Sequence, residues 1–457
     1  MSEHIPHRSD DSEPAASAAA PATERTGFVE FLHTEVAGAV VLLTATIVAL
    51  VIVNSPLNPA YEALWQVEAG FFVGGLEFAQ SLLHWVDDAL MALFFFVVGL
   101  EIKREFLGGE LSERRKAALP VLAAVGGMVV PATLYWAINA GGPGVNGWGV
   151  PMATDIAFAL GVMALLGSRV PTGLKVFLTA LAIADDVGAI LVIGVFYSTD
   201  ISLSLLVVAA VLLVVLWGFG RFGIDSPWPY AAVGVLVWAA VLGSGVHATI
   251  AGVLVAFMIP ASAKIEPLEF TQRAKSWIEG IEESFVEGRH VLDDNSQQVA
   301  CVAIRKDARL SVPPLQRMEF ALHPFVTFAV LPLFALGNAG VRVVGSDAVG
   351  TMTSPIALGI LLGLVVGKPL GIVAMSWLAV RSGLAQLPEG VRWAHIAGAG
   401  ILGGVGFTMS LFVANLAFTE PSQVMTAKLA ILIASLVAGV VGYIVLRVVP
   451  SSNAKEI

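Results

Sequence analysis

Apolar residues in this chain come in blocks rather than in the alternation of a half-buried strand or the single stripe of a soluble amphipathic helix. Twelve such blocks, separated by short polar breaks, lie near residues 35–54, 85–107, 116–138, 150–167, 172–197, 202–219, 229–243, 245–260, 322–341, 355–381, 394–418 and 425–447. Several reach the ~20 residues that cross a bilayer as a helix. The pattern predicts an all-α polytopic membrane protein of about twelve transmembrane helices. Between 229 and 260 it fits two short helices or one long one. Residues 1–27, rich in Ala, Pro and charge, read as a disordered tail, and 450–457 as a second short tail. The transmembrane domain runs from 28 to 449. Within it, 262–318 mixes charges and has little apolar periodicity beyond Phe270–Ile281, which reads as a cytoplasmic loop insertion with one helix and serves first as a connector.

Two blocks are broken from within. "GVPMATDIAFALG" (149–161) holds Pro151, Thr154 and Asp155, and "AGILGGVGFTMS" (399–410) holds Gly400, Gly403, Gly404 and Gly406. Proline and clustered glycine interrupt a helix, and backbone groups freed inside a bilayer must find partners or line a cavity. The breaks fall in the fourth and eleventh spans, at corresponding places in the triplets 3–5 and 10–12. That placement predicts inverted-topology repeats with two discontinuous helices and a binding site near the midplane. The tenth span adds Gly359, Gly363, Gly367 and Gly371 at four-residue spacing, a stripe that lets a neighbouring helix approach closely.

Composition agrees with the blocks. The 457 residues are 57% hydrophobic and 13% charged, with mean hydropathy +0.83, against roughly 25% charged in soluble domains. The single cysteine, Cys301, excludes an intramolecular disulfide and a Cys-rich metal site. Lys and Arg are absent from 55–84, 139–149 and 198–201, whereas alternate segments carry Lys103, Arg104, Arg114, Arg115, Lys116, Arg169, Arg221 and a group from Lys264 to Arg317. The positive-inside bias then places both termini in the cytoplasm.

Charge inside the blocks points to chemistry. Asp88, Asp155, Asp185, Asp186 and Lys368 all fall within spans. Each costs ~2.5–3.5 kcal/mol at a helix centre on insertion scales. One acid can pair with Lys368, but four acids cannot. A carboxylate without a partner in low dielectric binds a proton or a cation instead, and exchange of one for the other is the smallest working part of a coupled carrier. Adjacent helix positions diverge by about 100°, so Asp185 and Asp186 do not aim at one spot. One meets a partner across the bundle, for which Lys368 is suited, and the other faces a water-filled funnel. Thr154 and unwound backbone can complete an oxygen shell for a hard cation such as Na⁺. Asp155 fits a structural-electrostatic role, neutralising a half-helix N-terminus, and Lys368 does the same at facing C-termini. Asp88 lies near the outer end of span two.

"PMATDIAFALGVMALLGSRVP", "LTALAIADDVGAILV", "SGVHATIAGV", "LPLFALGNAGV", "VGKPLGI" and "GILGGVGFTMSLF" resemble, in order, the NhaA family of bacterial Na⁺/H⁺ antiporters, over about 28–449 apart from the insertion. The resemblance implies that Asp185 and Asp186 bind Na⁺ or Li⁺ and exchange protons, with Thr154 and Asp155 at the crossing of the unwound helices. It implies Lys368 as partner to the first aspartate and Asp88 in an outer funnel. It also implies a pH response through His247 and through a cytoplasmic cluster of Glu101, Arg104, Glu105 and Glu319. Phe320 stands where some relatives carry histidine, which leaves His323 alone in that motif.

The implied activity is secondary, electrogenic expulsion of Na⁺ (or Li⁺) against protons by alternating access in the bacterial inner membrane, pH-regulated. The implied protein is not an enzyme, needs no cofactor, takes lipid but no nucleic acid as partner, and forms a homodimer through an outer hairpin near 65–77. The alternative with the same architecture is a Na⁺-coupled carrier of an organic solute, which needs recognition groups that the spans scarcely offer. A channel would need a continuous polar lining. An intramembrane aspartyl protease would need its two aspartates on different, facing elements.

Overall fold

The computed structural model describes residues 22–73, 76–198, 201–284, 295–343 and 348–450. The elements follow the apolar blocks. They are α1 (Ala22–Val53), α2 (Met91–Gly108, entered through a π turn at Trp85–Leu90), α3 (Arg114–Asn139), α4 (Ile156–Leu165), α5 (Thr172–Phe196), α6 (Leu203–Arg221), α7 (Pro227–Gly243) and α8 (Thr249–Met258). After the charged segment come α9 (Pro267–Ser284), α10 (Asn295–Ser311), α11 (Pro314–Phe325), α12 (Leu331–Asn338), α13 (Pro355–Leu362), α14 (Lys368–Arg381), α15 (Trp393–Gly403), α16 (Phe407–Ala417) and α17 (Pro421–Val448). Short π turns join α11 to α12 and α13 to α14 into single long rods.

Among the described residues, eight helices are long and apolar enough to cross a bilayer, and α15 with α16 makes a ninth with a 46° bend. The shorter apolar helices α7 and α8 and the charge-bearing rod through α2 fill the remaining expected places. The chain is a multi-pass, all-α membrane protein. Between α7 and α8 the chain turns at Gly245, whose φ of 80° suits glycine, so 229–260 is two helices. The lipid-facing character is plain on α6, where Val207, Val211, Val214 and Trp217 are exposed. Such a continuous apolar surface is stable only against acyl chains.

The helices form two bundles. α3, α5 and α13–α17 pack chiefly on one another, and so do α2, α8, α7 and α6 with α11; α1 lies between, packed on α4 of the first set and on α12. α3 and α14 touch backbone to backbone: a Cβ built on Gly371 would lie 2.0 Å from the Gly126 carbonyl oxygen. The glycine stripe therefore works as a close-contact face.

Two places differ from the sequence expectation. The 262–318 segment holds two helices rather than one, and α11 already begins at Pro314 inside it. α9 and α10 pack together, clamped by Arg273, which reaches Glu269 at 2.6 Å and Asp307 at 3.6 Å. Each packs on the other and both are polar on average, so neither stands out as an apolar block in the sequence. The hairpin expected near 65–77 is present between α1 and the π turn, where strands β1 (Glu68–Val73) and β2 (Leu76–Ser81) pair antiparallel in register Glu68↔Ser81 to Val73↔Leu76. α1 starts at Ala22, inside the expected 1–27 tail. Residues 1–21 and 451–457, which hold the rest of the expected tails, lie outside the described residues.

Candidate functional site

Both broken spans unwind where proline and glycine forecast. A 3-10 turn, Val145–Met152, ends before Ala153, Thr154 and Asp155, which run extended into α4. α15 ends at Gly403, and Gly404–Gly406 lead into α16. The two breaks cross: the Asp155 backbone N–H donates to the Val405 carbonyl at 2.7 Å. The crossing is tight, since a Cβ on Gly404 would sit 2.3 Å from the Leu364 carbonyl oxygen.

Asp155 caps both half-helices that start here. Its Oδ1 accepts from the Phe158 N–H at 3.0 Å, and its Oδ2 accepts from the Thr408 N–H at 3.1 Å and from the Thr408 hydroxyl. One negative charge thus serves two positive dipole ends. The opposite ends meet Lys368, whose ammonium donates to the Met152 carbonyl and lies near Gly403. Thr408 follows the glycine-rich break directly, and a hydroxyl in that place was the available but unused signal for it.

α5 carries the two carboxylates at the same depth. Asp185, 1% exposed, turns to Lys368, which is fully buried, at 2.8 Å. The same Oδ2 accepts from the Thr154 hydroxyl at 2.7 Å, while Oδ1 has no hydrogen-bond partner. Asp186, 3% exposed, points elsewhere, and its Oδ2 is unpartnered. It lines a cavity of about 60 Å³ shared with Thr154, Asp155, Thr408, Glu101 and His323. The lining runs from the midplane crossing to the end of α2 that bears Arg104. Among the described residues no group of three or more His, Cys, Asp and Glu side chains could hold a metal ion. The oxygens on offer are two carboxylates with neutral hydroxyls and carbonyls, a set for a hard monovalent cation rather than a transition metal.

Beside Glu101, at one end of the cavity lining, Arg104 is held by three acids: Glu319, Glu105 at 3.2 Å and Glu101 at 3.9 Å. The structure therefore brings together all four residues of the expected cluster, across 215 positions of chain. His247 stands apart, in the α7–α8 turn, with its ring edge-on to Phe412 at 6.2 Å. Asp88 is half-buried in the π turn, its carbonyl accepting from the Trp238 indole at 3.3 Å, and it does not line the cavity around Asp186. Its neighbour Asp87 enters a network the sequence reading missed, with Asn338, Asn415 and Lys428.

Comparison with known proteins places the chain among antiporters. The family described as Na⁺/H⁺ antiporter 1 matches residues 29–446. The chain is 46% identical to the Na⁺/H⁺ antiporter NhaA of Sulfurimonas denitrificans, over 93% of this chain and 96% of that protein. It is 48% identical to the NhaA of Acidithiobacillus ferrooxidans, over 91% and 95%, and 46% identical to that of Wolinella succinogenes, over 91% of each.

Proposed function

The chain belongs to the Na⁺/H⁺ antiporter 1 family, and we propose that it expels Na⁺ or Li⁺ across the bacterial inner membrane in exchange for protons. The observation that carries this is the divided aspartate pair: Asp185 neutralised by Lys368, Asp186 unpartnered against a cavity. An unpartnered carboxylate out of water holds either a proton or a cation, so the two compete for Asp186. The Lys/Arg bias puts the Arg104 end, both termini and the mouth of the cavity on the cytoplasmic side. A cytoplasmic Na⁺ entering there displaces the Asp186 proton and draws on Asp185 and the Thr154 oxygen. The loaded site then turns outward, where protons eject the cation. The aspartates, Thr154 and Lys368 do this with no cofactor, exchanging only protons and the cation at the carboxylates, as a transporter rather than an enzyme.

Charge counting bears on electrogenicity. If Asp186 alone exchanges its proton for Na⁺, the site keeps its net charge and one H⁺ moves per Na⁺. Movement of more than one proton requires a second from the Asp185–Lys368 pair. Na⁺ must compete with the ammonium for Asp185 in any case, so that pair is the natural source. The Arg104 cluster and His247 serve pH regulation, and the cluster does so from the cavity mouth: as cytoplasmic pH rises, deprotonation of its acids and of the site activates exchange. A cavity of about 60 Å³ suits an ion with its last water, far below the ~300 Å³ of small organic ligand sites, which argues against the organic-solute alternative. The hairpin joins two copies into a homodimer.

The test is ΔpH dissipation in inside-out vesicles on addition of NaCl, LiCl or KCl at several pH values. Wild type dissipates ΔpH with Na⁺ or Li⁺, and Asp186→Asn, inserted at normal levels, does not. Full activity in Asp186→Asn would overturn the site assignment.

A further inference from the structure

The far end of α2 from Arg104 holds a second polar assembly that the exchange chemistry does not use. Roughly 20 Å of helix separate Asp87 from Glu101 at ~1.5 Å per residue. There the Asn338 side-chain amide, fully buried at the end of α12, donates to Asp87 Oδ1 at 2.6 Å. Its oxygen accepts from the Asn415 amide at 2.6 Å and from the Lys428 ammonium at 3.4 Å. An ionised carboxylate only accepts and an ammonium only donates, so the two charges fix the amide's orientation between them. Asn338 thereby relays an ion pair whose members do not touch.

The four residues come from both bundles. Asp87 and Asn338 belong to the π turn and α12, on the side of α2; Asn415 and Lys428 belong to α16 and α17, on the side of the aspartates. The network bridges the bundles at the end of the molecule opposite the cavity mouth. Exchange by alternating access requires the bundles to part at that end while they close at the Arg104 end.

We propose that Asp87, Asn338, Asn415 and Lys428 form the outer gate of the exchanger, a polar latch closed in this inward-facing arrangement and broken when the site faces out. The assignment rests on the exchange reading above. It makes these four gating residues: they touch no transported ion and set which side the site faces. Removing one charge strands its counterpart in a poorly hydrated place, and the stranded charge gains by opening to outer water. Removing both leaves a neutral hydrogen-bonded cluster that stays shut. The signature is therefore non-additive.

The experiment places one reporter, Met91→Cys, in a Cys301→Ser background. Met91 is fully buried and lies about one turn inward of Asp87. In right-side-out proteoliposomes, a membrane-impermeant maleimide added outside labels the reporter about tenfold faster in Lys428→Met, and faster in Asp87→Asn, than with the latch intact. Tenfold is the ratio set by loss of about one charge-assisted hydrogen bond. In the same variants the half-saturating cytoplasmic Na⁺ rises, because fewer molecules face in. The Asp87→Asn/Lys428→Met double variant labels near the parental rate. Parental labelling in both single variants, or double-variant labelling faster than either single, overturns the gate. The two single variants are read separately, so misfolding of one leaves the other informative. ΔpH dissipation by the reporter parent, measured on the same preparations, tests the exchange reading independently of the labelling.

Discussion

Thr154 has one hydroxyl hydrogen and two acceptors in reach, Asp185 Oδ2 at 2.7 Å and the Gly403 carbonyl at 3.0 Å. While Asp185 pairs with Lys368, the hydrogen favours the carboxylate. When a cation takes the carboxylate, the hydrogen can pass to Gly403 and expose an oxygen lone pair to the ion. In the proposed exchange the hydroxyl would serve the empty and the loaded site with one small rotation. Thr154→Val keeps the volume and loses both roles. Its expected effect is a roughly tenfold rise in half-saturating Na⁺, the scale of a hydrogen bond to a charged group. Thr154→Ser stays near wild type. Titrating Na⁺ in the vesicle assay separates the two, and an unaltered Thr154→Val would remove Thr154 from the ion shell. The pair of carboxylates was legible in the sequence because charge in an apolar block is conspicuous. That Asp155 would meet Thr408, 253 residues away, was not: local periodicity says nothing about which breaks cross.

Among elements, the α3–α14 contact does the positioning for Lys368, which opens α14. Gly371 lies about one turn further on. A Cβ there would stand 2.0 Å from the Gly126 carbonyl oxygen, a backbone atom that cannot rotate away. Gly371→Ala must therefore push the helices apart, at a cost of about 1–3 kcal/mol, and it moves Lys368 off Asp185 as it does so. The expected result is a lower melting temperature in detergent together with slower exchange. Gly400→Ala is the control, since its Cβ meets neighbours only at 3.5 Å, ordinary contact. Equal behaviour of the two variants would refute the close-contact role. Spans and breaks were readable because each is written in a contiguous stretch: apolar runs for the rods, Pro151 and Gly403–Gly406 for the interruptions. The second helix of the 262–318 segment was not readable as an apolar block, because α10 is polar on average and packs on α9, while Leu268, Ile278, Val299 and Val302 of the pair stay exposed.

For the whole molecule, orientation and assembly rest on different residues from the ion chemistry. In the proposed orientation the Lys/Arg bias acts through loops, and the hairpin stands outside both bundles. A two-stranded sheet is marginal alone and leaves unpaired backbone on its outer edges, a template for a second strand. Within a chain whose remaining elements are helical rods, the strand able to satisfy that edge is the same hairpin in a second copy, related by a two-fold axis. β1 is also tied to the bundle, since the Trp85 indole donates to the Ala69 carbonyl at 2.8 Å, so pairing there would couple two whole transporters rather than two loose loops. Deleting residues 68–81 and joining the ends with a short Gly/Ser linker is expected to convert dimer to monomer on chemical cross-linking in the membrane. Exchange per molecule should persist, because Asp185, Asp186, Thr154 and Lys368 all lie within one chain's bundle. Cross-linked dimer at wild-type yield would show that another surface holds the copies together. Loss of exchange in a folded monomer would show that the fixed frame against which the ion-bearing bundle moves is supplied by the second copy.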